Sequence, residues 1–161
     1  MTLDPDQLRL SMRAWSSGVT VVTAAYNGER HGMTVGSFTS ASLEPPLIII
    51  SLHTESRTYR LVHAANAFAV TILAEDQQEI SDRFAGRIPD TGDRFEGLET
   101  ETLVTGAPAI KNGLACLDCR VTQVIPAGMN TIFLAEVVAS RSVGEGKPLV
   151  YHNRQYWKLS K

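Results

Sequence analysis

Gly32-Met33-Thr34-Val35-Gly36-Ser37-Phe38-Thr39-Ser40-Ala41-Ser42-Leu43-Glu44-Pro45-Pro46 lies between two β-rich apolar runs, residues 19–25 and 47–52. Its hydroxyls gather where the strand pattern breaks, and the Pro-Pro pair stops it. Irregular, hydroxyl-bearing backbone beside rigid strands suits a polar ligand, because loops carry binding groups and strands hold them in place. The same composition also makes an ordinary Ser/Thr-rich turn.

The flanking pattern sets the architecture. Residues 19–25 read as a strand, Asn27-Gly28 as a hairpin turn, and residues 30–36 as the return strand. Leu47-Ile48-Ile49-Ile50-Ser51-Leu52 is an unbroken apolar run, which predicts a strand buried on both faces. Upstream, Asp4-Pro5 opens a helix with Leu8, Met12 and Trp15 at helical spacing and Gly18 at its end. Downstream, a helix opens near Ser56 with Leu61, Val62 and Ala65 inward, followed by a strand over residues 68–73. Asp76-Gln77-Gln78-Glu79 reads as a capping box for a helix carrying Ile80 and Phe84 one turn apart, with Gly86 at its end.

Residues 87–105 are polar and weakly periodic, the pattern of a long excursion that serves as a lid or interface arm, with Gly92 and Gly97 allowing movement. Residues 113–125 alternate, with Ala115, Leu117, Cys119, Val121 and Ile125 on one face. A turn at Gly128 leads into a strand over residues 131–140, and short strands at 149–151 and 155–159 close the chain. Many strands, three modest helices and no regular strand–helix alternation predict a mainly β protein, a closed or partly closed antiparallel barrel. The length of 161 residues favours a single domain, 1–161.

With 15 basic and 17 acidic side chains, the net charge of −2 offers no general attraction to nucleic acid or an acidic membrane. No apolar run approaches a bilayer span, and the first residues lack a signal pattern, so a cytoplasmic location is expected. Two cysteines are too few for a disulfide framework. In a strand, Cys116 and Cys119 of Cys116-Leu117-Asp118-Cys119 point to opposite faces, which argues for buried structural thiols rather than a redox pair. Zinc is excluded by the absence of a second ligand pair. His31, His53, His63 and His152 share no metal spacing, and Gly144-Glu145-Gly146-Lys147 reads as a surface turn. No metal site is expected, nor any Ser-His-Asp catalytic grouping.

Two places carry anion or ring chemistry. Ser51 ends the buried strand, and Ser56, Arg57 and Thr58 sit at a helix start, where unpaired backbone N–H groups favour a phosphate. An ordinary Ser cap with a solvated Arg accounts for the same residues. Arg83-Phe84 either sets a guanidinium and a ring beside a ligand or serves as a helix-end cation and a core ring.

The ordered pieces Ser17-Gly18-Val19-Thr20-Val21-Val22-Thr23, Gly32-Met33-Thr34, Ser37-Phe38-Thr39-Ser40, Glu44-Pro45-Pro46-Leu47, Ala74-Glu75-Asp76-Gln77, Arg83-Phe84-Ala85, Thr131-Ile132-Phe133, Glu136-Val137 and Pro148-Leu149-Val150-Tyr151 span nearly the whole chain. In these pieces the sequence resembles the flavin reductase-like family. The resemblance implies a Greek-key antiparallel FMN-binding split β-barrel that forms a homodimer, and reduction of FMN or FAD by NADH or NADPH. The reduced flavin is passed to a separate monooxygenase component. By motif, it places flavin at Thr34, Ser37, Phe38, Thr39 and Ser40, and its phosphate at Ser51, Ser56, Arg57 and Thr58. Arg83 and Phe84 would lie nearby, with Tyr151 and Asn130 at the nicotinamide. Two positions depart from the family pattern: Gly36 stands where Asn is common, and Gly128-Met129-Asn130 where Gly-Asp-His is common. Asn130 hydrogen-bonds but does not titrate. The alternative reading is a flavoprotein or electron carrier that holds FMN tightly and has little NAD(P)H activity. A further alternative is a pyridoxal-phosphate-related split barrel.

Overall fold

The computed structural model describes residues 2–89 and 91–160. In chain order the elements are α1 (Pro5–Met12), β1 (Ser17–Gly18), β2 (Thr20–Tyr26), β3 (Glu29–Val35), β4 (Thr39–Ser42), β5 (Leu47–His53), α2 (Arg57–Ala65), β6 (Ala67–Ile72) and α3 (Gln78–Phe84). They continue as β7 (Thr100–Glu101), β8 (Ala109–Ile110), β9 (Ala115–Ala127), β10 (Asn130–Ser142), β11 (Leu149–His152) and β12 (Gln155–Lys158). The fold is mainly β, and its registered strand pairs are antiparallel.

Seven strands form the main sheet in the order β3-β2-β6-β9-β10-β5-β4. Asn27 and Gly28 both take positive φ, 48° and 77°, in the β2–β3 turn, as a tight hairpin requires. The two edges, β3 and β4, are consecutive in the chain and joined by residues 36–38, so the loop closes a seam that no ladder bridges among the described residues. There the Ser37 hydroxyl accepts from Ser51 N at 2.9 Å and donates to Ser51 O at 2.8 Å. One side chain thus occupies both backbone groups of a β5 residue facing the seam.

The inner face of the sheet holds the larger core: Val22, Ile50, Leu52, Phe68, Val70, Cys119 and Phe133, plugged by Leu61 and Val62 of α2. Ser56 caps α2, its hydroxyl accepting from Tyr59 N at 3.1 Å, and Asn66 ends the helix in the left-handed region. The outer face of β2, β6 and β9 is also buried. Val21 packs there with Leu73, Phe84 and Phe95, and Ala69 and Cys116 pack against Ala107 and Ala109.

The structure departs from the sequence reading in five places. Helix α1 stops at Met12, none of its residues is buried, and Ser17–Gly18 pairs with β11 rather than ending a helix. Without a core to cover, the apolar spacing of Leu8, Met12 and Trp15 does not extend the helix. Strand β5 alternates between buried and half-buried residues, because only its inward face meets the core. The expected capping box does not form: Gln77 sits at the α3 cap without a side-chain cap bond, its Oε1 accepting instead from Ala74 N at 2.9 Å. On β9 the expected face holds for Leu117, Cys119 and Val121, but Ile125 is exposed beyond an irregularity in register with β10.

The fifth departure concerns residues 87–105, which are an anchored cover rather than an arm; Asp90 of that segment lies outside the described residues. Phe95 is buried edge-on against Phe84, 5.2 Å between centroids. Arg94 donates to Gly32 O and Phe84 O, and Arg30 pairs with Asp93 at 2.8 Å and lies over the Phe95 ring. Outward polar groups of the sheet catch the backbone and hydroxyls of the cover and its continuation. Thr23 donates to Pro108 O, Thr71 accepts from Ile110 N, and Asp118 accepts from Val104 N, Thr105 N and the Thr105 hydroxyl. Buried polar groups require such partners, and here they also hold the cover down.

Candidate active site

Two adjoining hollows lie beside β3 and the end of α3. The first, about 430 Å³, is lined by His31, Thr34, Ser56, Arg57, Thr58 and Arg94, with the Phe84 ring behind. The second, about 220 Å³, is lined by Ser17, Thr34, Gly36, Arg87, Tyr151 and Tyr156. Thr34 and Ala85 belong to both walls.

The first hollow is cationic and rich in donors. Thr58 is fully buried and shares a 2.8 Å hydrogen bond with His31 Nδ1. Arg57 and Arg60 both pair with Glu29 at 2.7 Å and hold its carboxyl below the usual carboxylate range, Arg60 contributing first. The α2 N-terminus adds its own partial positive charge. This donor set suits a phosphate.

The second hollow is aromatic and neutralised. Arg87 donates to the Tyr151 hydroxyl at 2.9 Å and the Tyr156 hydroxyl at 3.2 Å, and pairs with Asp82 at 3.1 Å. The Tyr151 hydrogen bond leads the factors that raise the Arg87 pKa, so the guanidinium stays charged. Tyr156 also bonds Ser81 and Asp82, and burial pushes its hydroxyl above the ordinary phenol range. Thr34 donates to Ser81 O at 2.7 Å, tying β3 to α3 between the hollows.

The expected site residues fall into groups. Thr34, Ser56, Arg57, Thr58 and Phe84 meet at the first hollow, and Tyr151 faces the second. Ser37, Ser51 and Asn130 converge at the seam, where Asn130 Nδ2 donates to Ser51 Oγ at 3.2 Å. Thr39 and Ser40 lie exposed on edge strand β4, and Phe38 packs its ring partly into the core. Phe84 is a fully buried core ring. Arg83 turns away, donating to Glu96 O at 2.7 Å and pairing with Glu79, beside a separate hollow with Ile88 and Thr91. Sequence reasoning passed over His31, Arg87, Arg94, Ser81 and Tyr156 as site residues. Arg94 is 62 positions from Gly32, whose carbonyl it binds, and no local pattern marks such a pairing.

An antiparallel β fold with a cationic hollow and an aromatic hollow side by side has the chemistry to hold a nucleotide. Residues 12–160 match the flavin reductase like domain, and the chain belongs to that family. It is 33% identical over 154 residues to the reductase component of the FADH(2)-dependent resorcinol hydroxylase of Rhizobium sp. (strain MTP-10005), covering 94% of this chain and 86% of that one. Among solved structures, it is similar to the native flavin reductase PheA2, with a TM-score of 0.90, 33% identity, and coverage of 99% of this chain and 100% of that one. It is also similar to the NADH:FAD oxidoreductase SgcE6 of Streptomyces globisporus C-1027, solved with NAD and FAD fragments. There the TM-score is 0.89 and the identity 30%, over 99% of this chain and 97% of that one.

Proposed function

We propose that the chain is an NAD(P)H-dependent flavin reductase, which moves a hydride from the nicotinamide to FMN or FAD and supplies the reduced flavin to a separate oxygenase component. The observation that carries this reading is a pair of adjoining hollows in a chain of this family, one lined by Ser56, Arg57 and Thr58 at the start of α2 and the other by Tyr151. Arg57 and the α2 N-terminus would hold the flavin phosphate, with Ser56 and Thr58 fixing that end of the helix. Ser37 and Asn130, locked to Ser51, would set the loop against the ring. The flavin supplies the two-electron acceptor when bound. The chain's own residues bind and orient, and no side chain is needed as a general acid or base. We also propose that a second copy of the chain walls the open side of the hollows, and that the protein works in the cytoplasm. The free, buried thiols of Cys116 and Cys119 agree with that compartment. Among the described residues no helix is long and apolar enough to cross a membrane.

The test is oxidation of NADH and NADPH with and without added FMN or FAD. Turnover is expected to depend on flavin, and Arg57→Ala to raise the flavin KM by about tenfold, the worth of one charge-assisted contact. Background oxidation with both flavins supplied would overturn the proposal.

A further inference from the structure

A third hollow, about 310 Å³, opens beyond Tyr151 between the end of α1 and the β11–β12 turn. Arg13, Trp15, Tyr151 and Arg154 line it, together with Arg9 and Asn153. Tyr151 is common to this hollow and the second one, so the two adjoin across its ring.

Three features set it apart from a surface dimple. Arg13 Nε is buried and has no hydrogen-bond partner among the described residues. Arg9 is neutralised by Asp6, whereas no carboxylate pairs with Arg13 or Arg154 among the described residues. The third feature is the turn itself. Asn153 and Arg154 take positive φ, 48° and 62°, the pair of conformations that favours Asn-Gly in a two-residue hairpin. The β2–β3 turn of this chain uses Asn27-Gly28 for the same purpose. Keeping Arg at the second position strains the backbone, and such strain persists where the side chain serves the site. Asn153 N donates to Arg13 O at 3.2 Å, which brings the two open guanidinium groups to one cleft.

Resting on the reductase reading, we infer that this cleft takes the 2′-phosphorylated adenosine end of NADPH. Arg13 and Arg154 bind the 2′-phosphate and Trp15 covers the adenine, with the nicotinamide in the Tyr151 hollow. The chemistry chooses phosphate over a free ribose hydroxyl. A 2′-hydroxyl is recognised by a carboxylate, and none lines the cleft, whereas a phosphate monoester matches two unneutralised guanidinium groups. On the proposed placement the flavin phosphate sits in the hollow beside Ser56, which shares no lining residue with this cleft, and this favours NADPH over the adenosine of FAD as its occupant.

Calorimetric titration with 2′,5′-ADP, without flavin or turnover, reads the cleft directly. Arg154→Gly relieves the turn, so the variant is expected to melt no lower than the parent. It is expected to bind 2′,5′-ADP about tenfold more weakly, as is Arg13→Gln, each losing one charge-assisted contact. The KM for NADPH should rise in parallel, while the KM for NADH moves less than about twofold. Trp15 fluorescence should be quenched by 2′,5′-ADP in a Trp157→Phe background. Equal affinity of parent and variants, or equal loss for both nucleotides, overturns the inference. Altered sedimentation with unchanged nucleotide affinity also overturns it, and assigns the cleft to a second copy of the chain. Failure of the parent to oxidise either nucleotide with flavin sinks the reductase reading instead, while 2′,5′-ADP binding still tests the cleft.

Discussion

Gly32 sits where three elements crowd together. A Cβ added there would meet Thr23 Cγ2 at 2.8 Å, Phe84 Cε1 at 2.9 Å and Val22 O at 2.9 Å. Its carbonyl also accepts from Arg94, which in turn binds Phe84 O. The glycine is needed for close approach, not for φ, and no side chain shift relieves a clash with backbone oxygen. Gly32→Ala is therefore expected to destabilise the protein by about 2 kcal/mol, as overpacking does. Chemical denaturation checks this, and an unchanged midpoint would contradict it. Ser37 shows the opposite economy: one exposed hydroxyl satisfies both backbone groups of Ser51 at the seam.

At the scale of elements, the cover over the sheet depends on Asp118. This carboxylate is buried on β9 and accepts three hydrogen bonds from residues 104 and 105. Asp118→Ala removes the acceptor of two half-buried backbone N–H groups and of the Thr105 hydroxyl and is expected to cost about 2 kcal/mol. Hydrogen exchange should speed up at residues 104–110 before it does in β2 or β6. Uniform exchange across the cover and the sheet would refute the staple. Helix α1 is the contrary case, since none of its residues is buried. A lone helix of eight residues is marginal in water, so α1 owes its place to what it meets at its end, where Arg13 O accepts from Asn153 N.

For the whole molecule, the two thiols set an alkaline limit. Burial first, and then the Asp118 charge, push Cys116 up from 9.0 to about 11 and Cys119 from 9.0 to about 12. Above pH 9 the unfolded chain loses these protons and the folded chain keeps them, so the unfolded state binds fewer protons and stability falls as pH rises. The loss is expected from pH 9 to about 11, where Cys116 begins to ionise in the fold, at a slope of about 1 kcal/mol per pH unit for each thiol. Urea midpoints across that range should flatten in the Cys116→Ala, Cys119→Ala double variant. An equal slope in parent and variant would exclude the thiols as the cause. The same burial keeps both groups as neutral thiols at neutral pH, so Cys116 and Cys119 are slow to react with disulfide reagents until the protein unfolds.

Local chemistry made much of this protein legible in its sequence. The Val- and Thr-rich run and the Asn27-Gly28 turn located β2 and β3, the apolar run located β5, and strand spacing separated Cys116 from Cys119 into different cores. Ser56 was readable as a cap because capping acts within one turn. The tertiary structure alone decided that residues 87–105 form a cover, that Gln77 turns from the helix to Ala74, and that Arg83 faces away from the two hollows while Arg87 and Arg94 line them. Those outcomes depend on pairings across dozens of residues, such as Arg94 with Gly32 and Asn153 with Arg13. Periodicity and capping record which face of an element is apolar and where it starts. They carry no record of which distant carbonyl a guanidinium will find, because that is settled only when the sheet brings the two together.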